Sequence, residues 1–93
     1  MDLSKIKGSI WFDGEIIDWK DAHVHVLTHT LHYGLGVFEG VRAYNTAKGS
    51  SIFRLEDHTD RLFKSAETVS MKIPFSQIQL NDAHKQVIKL NNL

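Results

Sequence analysis

Apolar and polar positions change period several times along this chain, and each change marks an element. "SIWFDGEIIDW" sets two short apolar runs on either side of Asp13-Gly14. Asp-Gly tolerates the positive φ that both central residues of a type I′ turn require, so the pattern predicts a β-hairpin. "HVHVL", His23 to Leu27, alternates polar with apolar side chains, the period of a half-buried strand. "THTLHYG" has room for one helical turn closed by Gly34. "VFEGVRAY" is rich in β-branched and aromatic residues and reads as a strand with Gly40 inside it. "NTAKGSS" reads as a loop and "SIFRL" as a returning strand, so residues 37–54 predict a second hairpin.

From Leu55 the period becomes helical. Leu55, Thr59, Leu62, Ala66 and Val69 fall on one face, and Pro74 in "MKIPF" breaks the chain after them. "FSQIQLNDAHKQVIKLNN" then carries a helix-start signature, with Ser76 as N-cap, Gln79 completing a capping box and Phe75 placed to staple onto Leu80. Leu80, Ala83, Val87 and Leu90 form its apolar stripe, and Asn91-Asn92 ends it. Strands gathered ahead of helices predict an α+β fold rather than alternating β-α-β units.

Composition narrows the function classes. Ninety-three residues make at most one small domain, and 42% apolar with 24% charged residues is ordinary for a globular chain. Eleven Lys and Arg balance eleven Asp and Glu, which leaves no global electrostatic case for nucleic acid or an anionic membrane. The absence of cysteine excludes disulfides and a thiolate zinc site. No apolar run approaches the roughly 20 residues of a membrane helix, and "MDLSKIKGSI" lacks the apolar core of a secretory signal. A cytoplasmic location is the default. The last residues, "QVIKLNNL", stop directly after a helical pattern. The expectation is that they belong to the front part of a longer protein.

Three constellations carry candidate chemistry. Gly34, Gly36 and Gly40 imitate a dinucleotide-binding turn, but a strand pattern follows Gly40 where a helix N-terminus should receive the pyrophosphate. The order is wrong for a nucleotide. His23, His25, His29 and His32 invite a metal reading, yet no recognised ligand spacing such as H-E-x-x-H is present, and no metal is expected. In "RLEDHTDRL", His58 and Arg61 lie three residues apart on one helix flank. Asp57 and Asp60 beside Arg61 make a surface ion pair one reading. A guanidinium aimed into a cleft to hold a phosphate or carboxylate is the other.

Together "IWFDGEIIDWKDAHVHVLTHTLHYGLGVFEGVRAY", "FRLEDHTDRLFKSA" and "IPFSQIQL…IKLNNL" closely resemble the N-terminal region of branched-chain amino acid aminotransferases. These are class IV, pyridoxal-phosphate-dependent enzymes of the D-amino-acid-aminotransferase-like fold. The specific parts are "HYG-x-x-VFEG-x-RAY" and "L-x-x-H-x-x-RL". The resemblance implies that the 93 residues form the N-terminal part of the small domain, with the large domain elsewhere. It implies that Arg61 binds the cofactor's phosphate and that Phe38 lines the pocket for the substrate's side chain. Tyr33 would line the pocket of the neighbouring subunit in a homodimer or larger homo-oligomer. Gly40 would let backbone approach the substrate, and Arg42, on the strand face of Gly40 and Phe38, is a weaker site candidate than a structural ion-pair partner. Branched-chain amino acids and their 2-oxo acids would be the substrates.

The lysine that binds the cofactor covalently comes, in that family, from the large domain. None of the eight lysines here stands in a comparable context, so no catalytic residue is assigned and these 93 residues alone are expected to be inactive. Two rivals stand beside this reading: another class IV enzyme, either a D-amino acid aminotransferase or an aminodeoxychorismate lyase, and a non-catalytic interaction module.

Overall fold

The computed structural model describes residues 5–93 in two compact units, divided between Leu35 and Gly36. In the first, β1 (Ser9–Phe12) pairs antiparallel with β2 (Glu15–Asp18) in the register Ser9↔Asp18 to Phe12↔Glu15. Asp13 and Gly14 close the hairpin at φ 50° and 93°, as the two left-handed positions of a type I′ turn require. A single 3₁₀ turn follows at Trp19–Asp21, and the Trp19 amide donates to the Gly8 carbonyl.

The strand expected at His23–Leu27 does not form. Alternation specifies faces only where a neighbouring strand pairs with the segment, and none does so among the described residues. The chain turns there instead: Thr28 N donates to the His25 carbonyl, and the His25 ring Nδ1 accepts from Leu27 N at 3.0 Å. A side chain that satisfies nearby backbone competes with extended structure. The short helix α1 (His29–Tyr33) then forms as expected, ended by Gly34 in the left-handed conformation at φ 63°.

In the second unit, β3 (Ala43–Thr46) and β4 (Gly49–Ile52) form an antiparallel hairpin, with one further bond from Phe53 N to the Arg42 carbonyl. Only the outer part of the expected 37–54 hairpin is therefore paired. Residues 37–42 still keep a strand's alternation: Val37, Glu39 and Val41 are half-buried, while Phe38, Gly40 and Arg42 are exposed.

Helices α2 (Leu55–Thr68) and α3 (Gln77–Leu90) supply the core. Leu55, Ala66, Leu80 and Ala83 are its buried apolar residues. Thr59, also buried, donates its hydroxyl across the helix pair to Asn81 Oδ1, with the Leu55 carbonyl as a second acceptor. Val69 and Leu90, counted in the apolar stripes, are exposed, and α2 ends one residue before Val69. The α3 start forms as read: Gln79 N donates to Ser76 Oγ at 3.1 Å, and Ser76 N donates to Gln79 Oε1 at 2.8 Å.

So small a core makes the cap matter. Ser76→Ala removes the acceptor of one α3 amide and is expected to destabilise the chain by about 1 kcal/mol. Urea unfolding should show a lower midpoint with an unchanged slope; an unmoved midpoint would mean the cap is energetically idle.

Candidate functional site

The functional candidates of the second unit lie on residues 37–42 and one flank of α2; Tyr33 belongs to the first unit. Glu39 lies on the half-buried face of its segment, with 11% of its side chain exposed. A carboxylate between valines needs partners, and it has two, which together make three charge-assisted bonds. Arg61 Nε donates to Glu39 Oε2 at 2.8 Å and Arg61 Nη2 donates to Oε1 at 2.6 Å. His58 Nδ1 meets the same Oε1 at 2.8 Å.

These bonds fix protonation states. Hydrogen bonds from Arg61 first, then from His58, hold the Glu39 carboxyl well below its ordinary 4.5, at about 2. The same bond to Glu39 raises the Arg61 guanidinium above its ordinary value. An ionised carboxylate only accepts, so the proton of the His58–Glu39 bond sits on Nδ1. The approach of Arg61 Nη2 to His58 Nδ1 at 3.5 Å then brings two donors together and is not a hydrogen bond.

A guanidinium carries five N–H donors. Glu39 occupies the Nε–Nη2 edge of Arg61, and among the described residues Nη1 has no partner. With the Arg61 side chain 66% exposed, the Nη1–Nη2 edge is open. Two parallel N–H groups on that edge match two oxygens of a phosphate or carboxylate.

Arg61 does form an ion pair, with Glu39 rather than with the acids beside it in sequence. Asp57 pairs with Arg54 at 2.8 Å, and Asp60 pairs with Lys64 at 3.0 Å, which lowers the Asp60 pKa. Neither takes Arg61. Arg42, expected as an ion-pair partner, forms no ion pair among the described residues and stands exposed beside Phe38 (88% exposed) and Gly40. At Gly40 a Cβ would meet nothing within 4 Å, so no protein neighbour in the structure requires the glycine. In the first unit, Tyr33 is 77% exposed, with its ring edge-on to His29 at a centroid distance of 5.5 Å. Its histidines are exposed; His32 Nε2 donates to the Val26 carbonyl at 2.6 Å.

Sequence reasoning paired His58 with Arg61 but missed Glu39. The available signal was an acid at the middle of the Val37–Val41 face, opposite the face that carries Phe38, Gly40 and Arg42. A cleft of about 820 Å³ between β4, α2 and α3, lined in part by Ser51, Asn81 and Lys85, contains none of these site residues.

The Glu39 fork should be legible in acid titrations. A carboxyl whose folded pKa is depressed stabilises the fold fully above about 4.5, and that contribution is lost as pH falls toward about 2. The stability gap between the wild-type chain and Glu39→Gln is therefore expected to be widest near neutral pH and to close across that window. Urea unfolding at pH 7, 4.5, 3 and 2 measures it, and a gap constant with pH would contradict the assignment.

Residues 36–93 match the model of the family described as amino-transferase class IV. The chain is 56% identical over all 93 residues to the branched-chain-amino-acid aminotransferase of Pseudomonas aeruginosa, of which it covers 30%. The structure of the Escherichia coli branched-chain amino acid aminotransferase superposes with a TM-score of 0.91 at 44% identity, over 95% of this chain and 30% of that one. The branched-chain amino acid aminotransferase of Thermobaculum terrenum, in its PLP-bound holo-form, gives 0.80 at 34% identity, over 94% and 29%. The chain thus spans about 30% of the length of the relatives it matches, and their N-terminal fold, hairpins followed by helices, is the fold described above. With more than half of its residues inside the family model, the chain belongs to the class IV amino-transferases.

Proposed function

We propose that these residues are the N-terminal part of the small domain of a pyridoxal 5'-phosphate-dependent aminotransferase acting on leucine, isoleucine and valine with 2-oxoglutarate. The observation that carries the reading is the two-sided segment 37–42. Its inner face holds the guanidinium of Arg61 by Glu39, and its outer face displays Phe38, Gly40 and Arg42. One short stretch thereby joins a phosphate ligand to a substrate wall. The names of the relatives support the substrate class, and the PLP-form of one of them supports the cofactor.

Pyridoxal phosphate, when bound, supplies the electron sink through which an amino group passes between amino acid and 2-oxo acid. Arg61 suits its phosphate because the open edge is a planar double donor of fixed charge. Phe38 provides apolar surface for a branched side chain, which offers nothing but carbon to recognise. Gly40 leaves room for a ligand to approach the backbone. Arg42, a cation with no ion pair among the described residues, stands on the same face and suits a carboxylate. Tyr33 contributes to the pocket of a neighbouring subunit in a homodimer or larger homo-oligomer. The covalent lysine comes from sequence outside these 93 residues. An amino-acid biosynthetic role in the cytoplasm fits this chemistry.

Two measurements test the reading. The 93-residue chain mixed with pyridoxal phosphate, L-leucine and 2-oxoglutarate is expected to form no glutamate above the cofactor-only control, whereas the full-length protein turns over L-leucine in preference to D-alanine. Preference for D-alanine would move the assignment to another class IV enzyme. In the full-length protein, Phe38→Ala is expected to lower kcat/KM for L-leucine about 10- to 100-fold, the scale of a lost apolar pocket contact. An unchanged value would remove Phe38 from the pocket.

A further inference from the structure

We propose that Glu39 is a positioning residue for the cofactor's phosphate: its carboxylate occupies the Nε–Nη2 edge of Arg61 and turns the Nη1–Nη2 edge outward as the one that meets the anion. This rests on the reading of Arg61 as phosphate ligand. The geometry comes from three observations. The fork is two-point, Nε to Oε2 at 2.8 Å and Nη2 to Oε1 at 2.6 Å, so it fixes the plane of the guanidinium as well as its place. The carboxylate is itself held, because His58 Nδ1 donates to Oε1 at 2.8 Å and its own side chain is 11% exposed. The arginine, by contrast, is 66% exposed, and without the fork its long side chain would sample many rotamers.

The placement looks electrostatically perverse. A carboxylate beside a phosphate ligand cancels much of the guanidinium's charge and repels the incoming dianion. Two physical effects of opposite sign are therefore in play. If net charge governed binding, removing the carboxylate would tighten phosphate binding. If orientation governs, removing it frees the guanidinium to rotate and weakens binding, because a pre-organised fork loses less entropy on forming its second pair of bonds. The structure favours orientation: the carboxylate engages Nε and Nη2 together, a two-point contact that sets the guanidinium plane, where charge compensation alone would need only one. Glutamine cannot replace it. An amide keeps one acceptor and presents its own NH₂ to the second guanidinium donor.

The test uses the full-length apoprotein and two probes, pyridoxal phosphate and phosphate-free pyridoxal. The readout is the ratio of their dissociation constants, with the ³¹P resonance of bound pyridoxal phosphate as a second signal. In Glu39→Gln and Glu39→Ala, binding of pyridoxal phosphate is expected to weaken about tenfold while pyridoxal binding stays unchanged, and the ³¹P resonance should shift. Unchanged pyridoxal binding also certifies that the variants are folded; the near-isosteric Gln variant keeps the test valid should Ala unfold. Tighter or equal pyridoxal phosphate binding in both variants, with Arg61→Ala still weakened, would overturn the positioning role and leave Arg61 as ligand. An unchanged ratio in Arg61→Ala would overturn the phosphate reading and this proposal with it.

Discussion

The second unit is organised around one half-buried demand: the carboxylate of Glu39 must find donors. It stands on the half-buried face of residues 37–42, between Val37 and Val41, where an ionised group without partners would be costly. Its donors come from α2, nineteen and twenty-two residues further along, through His58 and Arg61. An unpaired stretch of chain is thereby tied to a helix. The bonds satisfy the acid, select the Nδ1–H form of His58 and set the plane of Arg61.

That arrangement works only if α2 is itself a firm support. Its rigidity comes from α3, through Leu55 and Ala66 on one helix and Leu80 and Ala83 on the other. Thr59 adds a polar tie to Asn81 across the same interface. Both helices present small or branched residues at the contact, which allows close approach without large buried side chains. The core is correspondingly slight. The capping box at Ser76 and Gln79 and the Asn91 side chain, which donates to the Val87 carbonyl, satisfy backbone groups at the two ends of α3. Local bonds of this kind supply a share of order that a larger domain would draw from its interior.

What could be read from the residues divides along a physical line. The Asp13-Gly14 hairpin, the helix stop at Gly34 and the Ser76 cap are decided by neighbours within a few positions, and all three formed as read. The strand at His23–Leu27 did not form, because alternation states a preference between faces and cannot create a pairing partner. Val69 and Leu90 carried the right period and are exposed, since a stripe is buried only as far as the opposing helix covers it. The family resemblance pointed to Arg61, Tyr33, Phe38, Gly40 and Arg42 as site candidates. It did not point to the acid between Phe38 and Gly40.

The Asp13-Gly14 hairpin, the stop at Gly34, the cap of α3 and membership of the class IV amino-transferase family were determined by the sequence, because each depends on local stereochemistry or on a motif that can be matched residue by residue. The partner of Arg61 was decided by the tertiary structure alone. Asp57 and Asp60 are nearer in sequence and were the natural candidates, yet Arg54 and Lys64 take them. Glu39 prevails from twenty-two residues away because the fold removes it from water and presents both of its oxygens at the spacing of a guanidinium edge.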